Sequence, residues 1–331
     1  MNLNMNLNMN LKRKLLPLIA ALLLAAFPAA AETGQTGYTK AVPAAYQARS
    51  SRPGTVEEIR YESRDYARNA ETVIQKRAYV YLPYGYGAGD ADTRYSIVYL
   101  MHGMGGHAGD FFNFPSTKKI LDNLIEKGDI EPAIFVSPTF YNKNSDRGLD
   151  GSVEELRTFY LEFENDLIPA VEGRYRTFAA SAADEDLKAS RDHRAFGGFS
   201  LGGVATWLEF CHDTDYIRYF LPMSGASLYY GSFSDFQTGR NVDHLEEVIR
   251  DKDLNGRDWF IFHAVGTLDH LQSQSVMMAE EMLAREGAFP PEHYVFYRME
   301  GGRHDFDAVQ EYLYNALPLF FRDGTETGGQ G

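Results

Sequence analysis

Ser200 sits in Gly198-Phe199-Ser200-Leu201-Gly202, with a glycine two residues away on each side. A serine hydroxyl is a weak nucleophile near neutrality, and chains that use one place it on a turn too tight for side chains at the flanking positions. Gly198 and Gly202 relieve that crowding and leave the hydroxyl exposed. The residues before the serine, Ala195 to Phe199, read as an apolar strand, and Gly202 to His212 read as a helix. A helix that starts there turns free N–H groups and the positive end of its dipole toward a developing oxyanion. The motif therefore assigns Ser200 as nucleophile and the Leu201 N–H as one oxyanion donor. A purely structural tight turn is the alternative.

Such a serine needs a general base, and the base needs an acid to orient it. His304 lies in Gly301-Gly302-Arg303-His304-Asp305-Phe306, a loop between an apolar strand and the last helix, from which an imidazole can reach over the turn. The acid is expected between serine and histidine in chain order. Asp269 meets that condition in Gly266-Thr267-Leu268-Asp269, at the carboxyl end of the apolar run Trp259 to Val265. Asp305 is the rival, although adjacency to His304 turns it away from the ring in most loop geometries. A second oxyanion donor is expected from the stretch Tyr99-Leu100-Met101-His102-Gly103-Met104-Gly105-Gly106, at the Met104 N–H. His102 and His107 are joined by no carboxylate or cysteine at ligand spacing and read as structural or solvated, so no metal is expected. Asn142 to Asp150 lacks the glycine placement and terminal glutamate of a calcium loop and reads as a polar loop.

The elements that must hold these groups alternate. Strands are predicted at Ala78 to Leu82, Ser96 to Met101, Ala133 to Ser137, Ala195 to Phe199, Phe220 to Met223, Trp259 to Val265 and Tyr294 to Tyr297. Helices are predicted at Thr117 to Gly128, Glu154 to Arg174 (kinked or ended by Pro169), Gly202 to His212, Ser273 to Glu286 and Ala308 to Phe320. That order implies an α/β fold, a mostly parallel central sheet with helices on both faces and a site at the carboxyl ends of the strands.

The 331 residues are 44% hydrophobic and 24% charged, which excludes a disordered or collagen-like chain and fits one catalytic domain. Lys12, Arg13 and Lys14 precede the apolar run Leu15 to Phe27, which ends in Pro28-Ala29-Ala30-Ala31. This reads as a secretory leader over residues 1–31, too short in its apolar part for a comfortable bilayer span, with an uncleaved anchor as the alternative. Residues 32–54 read as an extended lead-in, 55–323 as the catalytic domain and 324–331 as a tail. A secreted protein, periplasmic or extracellular, without stable membrane association after cleavage is expected. Cys211 is the only cysteine, so the core must suffice without an internal disulfide. The formal charge of -14 becomes more negative once the basic leader is removed, and such a field repels nucleic acid.

Several longer stretches add to these motifs: VYLPYGY, YLMHGMGG, EPAIFVSPTF, NDLIPAVEGRY, SRDHRAFGGFSLGG, LPMSG, GTLDH, GGRHDF and YLYNALPLFF. Together they resemble the carbohydrate esterases related to the feruloyl esterase domains of bacterial xylanases, within the esterase D group. The resemblance implies the α/β-hydrolase fold, no cofactor, and cleavage of hydroxycinnamoyl esters from feruloylated arabinoxylan of plant cell walls. The family's serine, aspartate and histidine fall on Ser200, Asp269 and His304, and its first oxyanion donor falls on Met104. The chain departs from a close relative in having Asp305-Phe306 where that relative has paired tryptophans, and it shows no appended carbohydrate-binding or dockerin module. Phe140, Tyr141, Tyr229, Tyr230 and Phe306 are expected near the mouth, where they would stack on a phenolic acid or simply pack. Acetyl xylan esterase, an acyltransferase of the same fold, and a catalytically dead polysaccharide-binding protein are the alternatives in function.

Overall fold

Thr55–Asp65 (β1) and Asn69–Leu82 (β2) form an antiparallel hairpin that opens the sheet. The apolar run predicted only its last five residues. The inward positions explain why: Ile59 and Tyr61 alternate with solvent-facing charges, but Ser63, Asp65 and Lys76 also point inward, so the period-2 signal is diluted by polar groups. Lys76 is tolerated there because its ammonium meets the buried Glu162 carboxylate at 2.9 Å. The computed structural model describes residues 41–88, 90–254, 259–285 and 287–322. The expected leader and tail, and residues 32–40 of the expected lead-in, lie outside the described residues; the rest of the lead-in is not wholly extended but holds a short helix, Ala44–Gln47.

The sheet continues with Ser96–Met101 (β3), Ala133–Ser137 (β4), Arg194–Phe199 (β5), Tyr219–Met223 (β6), Phe260–Gly266 (β7) and Tyr294–Met299 (β8). Its order is β1-β2-β4-β3-β5-β6-β7-β8, with β2 antiparallel to both neighbours and the remaining pairs parallel. Every residue of β4, β5 and β6 is buried, which is why these strands read as unbroken apolar runs and were legible from the sequence. The principal helices are Pro115–Lys127 (α1), Leu149–Glu162 (α2), Leu201–His212 (α3), Thr238–Asp251 (α4), Gln272–Leu283 (α5) and Phe306–Ala316 (α6).

The helix expected over Glu154 to Arg174 starts earlier and changes form. It begins at Leu149, passes through a π turn at Phe163–Leu167 and closes with the short helix Ile168–Glu172. Pro169 stands directly after the π turn, near the start of that last segment, and the helical run continues past it to Glu172, so the proline does not end it.

Arg194, the first residue of β5, is buried and pairs with Glu172 through Nε at 2.6 Å and Nη2 at 2.9 Å. Its other donors reach the Leu187 and Tyr216 carbonyls and the Ser190 hydroxyl, so all five guanidinium N–H groups are satisfied. This network anchors the base of the strand that leads to Ser200.

Candidate active site

Ser200 is the single residue between β5 and α3, with φ 60° and ψ -117°. A side-chain-bearing residue is strained there, and its N–H is held by the Met223 carbonyl at 2.9 Å. The flanking glycines are required by close approach. A Cβ on Gly198 would stand 2.4 Å from the Gly202 carbonyl oxygen, and one on Gly202 would stand 2.0 Å from the Met101 carbonyl oxygen. On the facing loop, a Cβ on Gly103 would lie 3.0 Å from Ser200 Cβ. Leu201 opens α3, so its N–H is among those that no carbonyl of its own helix can reach.

Asp269 follows β7 and is 1% exposed. His304 Nδ1 lies 3.0 Å from its Oδ1 and 2.8 Å from its Oδ2. A carboxylate only accepts, so Nδ1 carries the proton and Nε2 is left with a lone pair. Burial alone would raise the Asp269 carboxyl, but hydrogen bonds from His304 and from the Leu271 N–H outweigh it and hold the group below its ordinary value. Asp305 is turned elsewhere. Its carboxylate caps α6 by accepting from the Ala308 N–H at 3.0 Å.

Tertiary packing brings these two loops together. A Cβ on Gly266 would be 2.2 Å from the Gly302 carbonyl oxygen, and the loops are laced by Thr267 N–H to Met299 O and Leu268 N–H to Gly302 O, each at 2.9 Å. The His304 ring rests on that of Phe199, Ser200's neighbour, at a centroid distance of 4.5 Å. His270, an exposed residue that sequence reasoning passed over, lies with its ring 4.3 Å from that of His304. Asp269, His270 and His304 bring potential ligand atoms within 4.8 Å of one another, and two of the three are already bonded together.

Met104 projects its side chain into solvent. The loop around it is closed by Gly106 N–H to Gly103 O at 3.1 Å and by Gly105 N–H to the Tyr141 hydroxyl at 3.1 Å. His102 is a buried structural residue. Its Nδ1 donates to the Gly103 carbonyl at 2.7 Å, so Nε2 accepts from the Thr139 hydroxyl at 2.6 Å. Burial lowers this imidazole to about 4, and it stays neutral.

The five expected aromatic contacts separate into three groups. Phe140 and Tyr141 are each 2% exposed and pack on His102 and on one another, with Arg147 lying over the Tyr141 ring at 4.5 Å. Their expected substrate contact is replaced by a supporting role. Tyr229 and Tyr230 are half-buried against α4, where His244 stacks on Tyr229 at 3.9 Å and Arg240 lies over Tyr230 at 4.2 Å. Phe306 stacks on Phe114 at 3.9 Å and meets Phe199 at 5.7 Å, beside Ser200. Phe114, Met104 and Leu268 are large apolar side chains left 41%, 56% and 58% exposed at this end of the sheet. They are isolated in loops, so no periodicity marked them.

The Esterase family model matches residues 73–320. Endo-1,4-beta-xylanase Y of Acetivibrio thermocellus is 36% identical over 251 residues, covering 74% of this chain and 22% of that protein. An endo-1,4-beta-xylanase/feruloyl esterase of Xylanibacter ruminicola is 30% identical over 154 residues, 45% of this chain and 19% of the relative. The chain thus spans about a fifth of the length of these curated relatives. Among solved structures, a serine-to-alanine mutant of the feruloyl esterase module from Clostridium thermocellum, complexed with sinapinate, superimposes with a TM-score of 0.70 at 32% identity. That match covers 89% of this chain and 99% of the other. A ferulic acid esterase from Anaeromyces mucronatus shares the fold, with a TM-score of 0.66 at 18% identity over 86% of this chain and 98% of the other. A family match over most of the sheet, laid on this eight-stranded α/β-hydrolase frame, shows that the chain belongs to the Esterase family.

Proposed function

We propose that the chain is an exported serine carboxylic-ester hydrolase that releases ferulic or related hydroxycinnamic acids from arabinoxylan. Ser200 Oγ attacks the ester carbonyl while His304 Nε2 takes the hydroxyl proton. Asp269 holds the imidazole tautomer and stabilises the imidazolium that forms. The N–H groups of Met104 and Leu201 receive the charge that develops on the carbonyl oxygen. His304 then returns the proton to the departing sugar oxygen, leaving an acyl-serine. Water attacks the acyl carbon, His304 takes its proton, and collapse releases the acid and returns the proton to Ser200.

The observation that carries this reading is the two-oxygen contact of Asp269 with His304 Nδ1, in a ring resting on the neighbour of a strained serine. The exposed apolar side chains Phe114, Met104 and Leu268 favour a planar aromatic acyl group over acetyl. The names of the xylanase relatives support a polysaccharide ester as substrate. Export rests on Lys12 to Lys14 followed by Leu15 to Phe27, and amino-terminal sequencing of the mature protein tests it.

Methyl ferulate is the direct test. Ser200→Ala is expected to lower turnover by roughly 10⁴-fold or more with an unchanged circular dichroism spectrum. Near-normal activity in that variant overturns the reading, and faster release from acetylated than from feruloylated xylan replaces its acyl group.

A further inference from the structure

Beside the loop that carries Met104 lies a cleft of about 280 Å³, between the β1–β2 hairpin and the segment after β4. Arg60, Lys76, Arg77, His107, Lys143 and Arg147 line it, and among the described residues its lining contains no acid. In a chain with a formal charge of -14 this is a local reversal of sign. Such a reversal focuses anions where the rest of the surface repels them.

Two of the cations are neutralised from outside the cleft. Lys76 pairs with Glu162 at 2.9 Å, and Arg60 pairs with Glu58 at 2.8 Å. Arg77, half exposed, also faces Glu58 but only at 4.0 Å, so one carboxylate serves two guanidinium groups, and Lys143 is exposed. Arg147 is paired with no carboxylate among the described residues: it lies over the Tyr141 ring at 4.5 Å and reaches the Gly106 carbonyl at 3.4 Å and His107 Nε2 at 3.3 Å.

The cleft is coupled to the proposed reaction centre through two short links. Arg147 touches the carbonyl of Gly106, and the Tyr141 hydroxyl holds the N–H of Gly105. A group in the cleft therefore sits next to the loop that would receive the ester carbonyl. A free anion so placed would compete with the substrate, whereas an anion carried on the same polymer would add to its binding.

We infer that this cleft is a subsite for a carboxylate on the polysaccharide, so that the enzyme prefers feruloyl esters on uronic-acid-bearing chains. Arg77 and Lys143 supply long-range attraction, and Arg147 offers a planar fork that can meet a carboxylate with two N–H groups. The inference rests on the esterase reading for its kinetic consequence but not for the binding itself.

The test compares feruloylated glucuronoarabinoxylan oligosaccharides with the same material after chemical reduction of its carboxyl groups to alcohols. Wild type should show a KM about fivefold lower for the acidic form at low salt, a difference that shrinks as ionic strength rises. The Arg77→Glu/Lys143→Glu variant should lose that preference while keeping its turnover on methyl ferulate. Lys143→Glu alone, at an exposed loop position, should move in the same direction. Equal KM values for the two polymers in wild type, or an unchanged preference in the double variant, overturn the inference. Affinity electrophoresis of the Ser200→Ala protein through gels containing each polymer reads binding without turnover. Retardation by the acidic polymer alone supports the subsite even if methyl ferulate is not cleaved, and equal mobility in both gels overturns it.

Discussion

The Tyr141 hydroxyl accepts the N–H of Gly105 at 3.1 Å, so a residue beyond β4 holds the loop beyond β3. The direction of the chain of hydrogen bonds is settled by its far end. Ser152 Oγ donates to the Gly148 carbonyl at 2.7 Å, so it accepts from Tyr141 at 2.6 Å, and Tyr141 keeps a lone pair for Gly105. Removing the hydroxyl frees the loop that positions the Met104 N–H.

Tyr141→Phe is accordingly expected to lower kcat on methyl ferulate by about 10-fold, with KM nearly unchanged and the fold intact. A hydroxyl that bound substrate equally in the ground and transition states would instead raise KM with kcat unchanged. Steady-state kinetics of the purified variant distinguish the two.

Asp269 and Asp305 flank the same histidine but differ in what they bond. Asp269→Asn should reduce kcat by roughly 10⁴-fold, because an amide facing Nδ1 favours the wrong tautomer. Asp305→Ala removes the cap of α6 and should cost about 1 kcal/mol of stability while leaving turnover near wild type. Parallel activity and thermal-melt measurements on both variants check the assignment.

Arg194→Ala leaves Glu172 buried without a counter-charge beneath the strand that leads to Ser200. A destabilisation of about 3–5 kcal/mol is expected, read as a lower midpoint of urea unfolding. Arg194→Lys should recover only part of it, since one ammonium cannot replace five donors in a fixed fork.

Glu209 is fully buried on α3, and burial pushes its carboxyl from 4.5 up to about 7, with Glu164 and Glu162 adding to the rise and Asp213 opposing it. Asp213, one turn further on, is raised as well, chiefly by burial and then by Glu209. A carboxyl that holds its proton more tightly folded than unfolded makes stability fall as pH climbs from the unfolded to the folded value. Unfolding free energy should therefore decline as pH climbs from 4.5 toward about 7. Glu209→Gln cannot ionise and should flatten the decline. Urea titrations across that pH range measure it, and an identical slope in the variant would refute the assignment.

Five consecutive residues around Ser200 were enough to foresee its turn, because the crowding that demands Gly198 and Gly202 is a local property of the backbone. The central strands were equally legible, since burial on both faces leaves an unbroken apolar run. The β1–β2 hairpin was only partly so: Lys76 and Asp65 occupy inward positions and find partners on distant elements, Glu162 and Asn142, that no periodicity reveals. The same limit applied to the aromatic residues. Composition marks Tyr141 as a ring, while only packing shows that its face is buried and that its hydroxyl is used.

By itself the sequence determined the strained serine, the alternation of strands and helices, and an aspartate and a histidine in the right chain order. The tertiary structure decided which acid meets His304, because that bond spans 35 residues and depends on Gly266 and Gly302 letting two loops touch. It also turned Asp305 into a helix cap and drew cations from the hairpin and the β4 loop into one cleft. Local backbone geometry is written in neighbouring residues, whereas hydrogen-bond partners and fields are set by which loops the sheet brings to the same end.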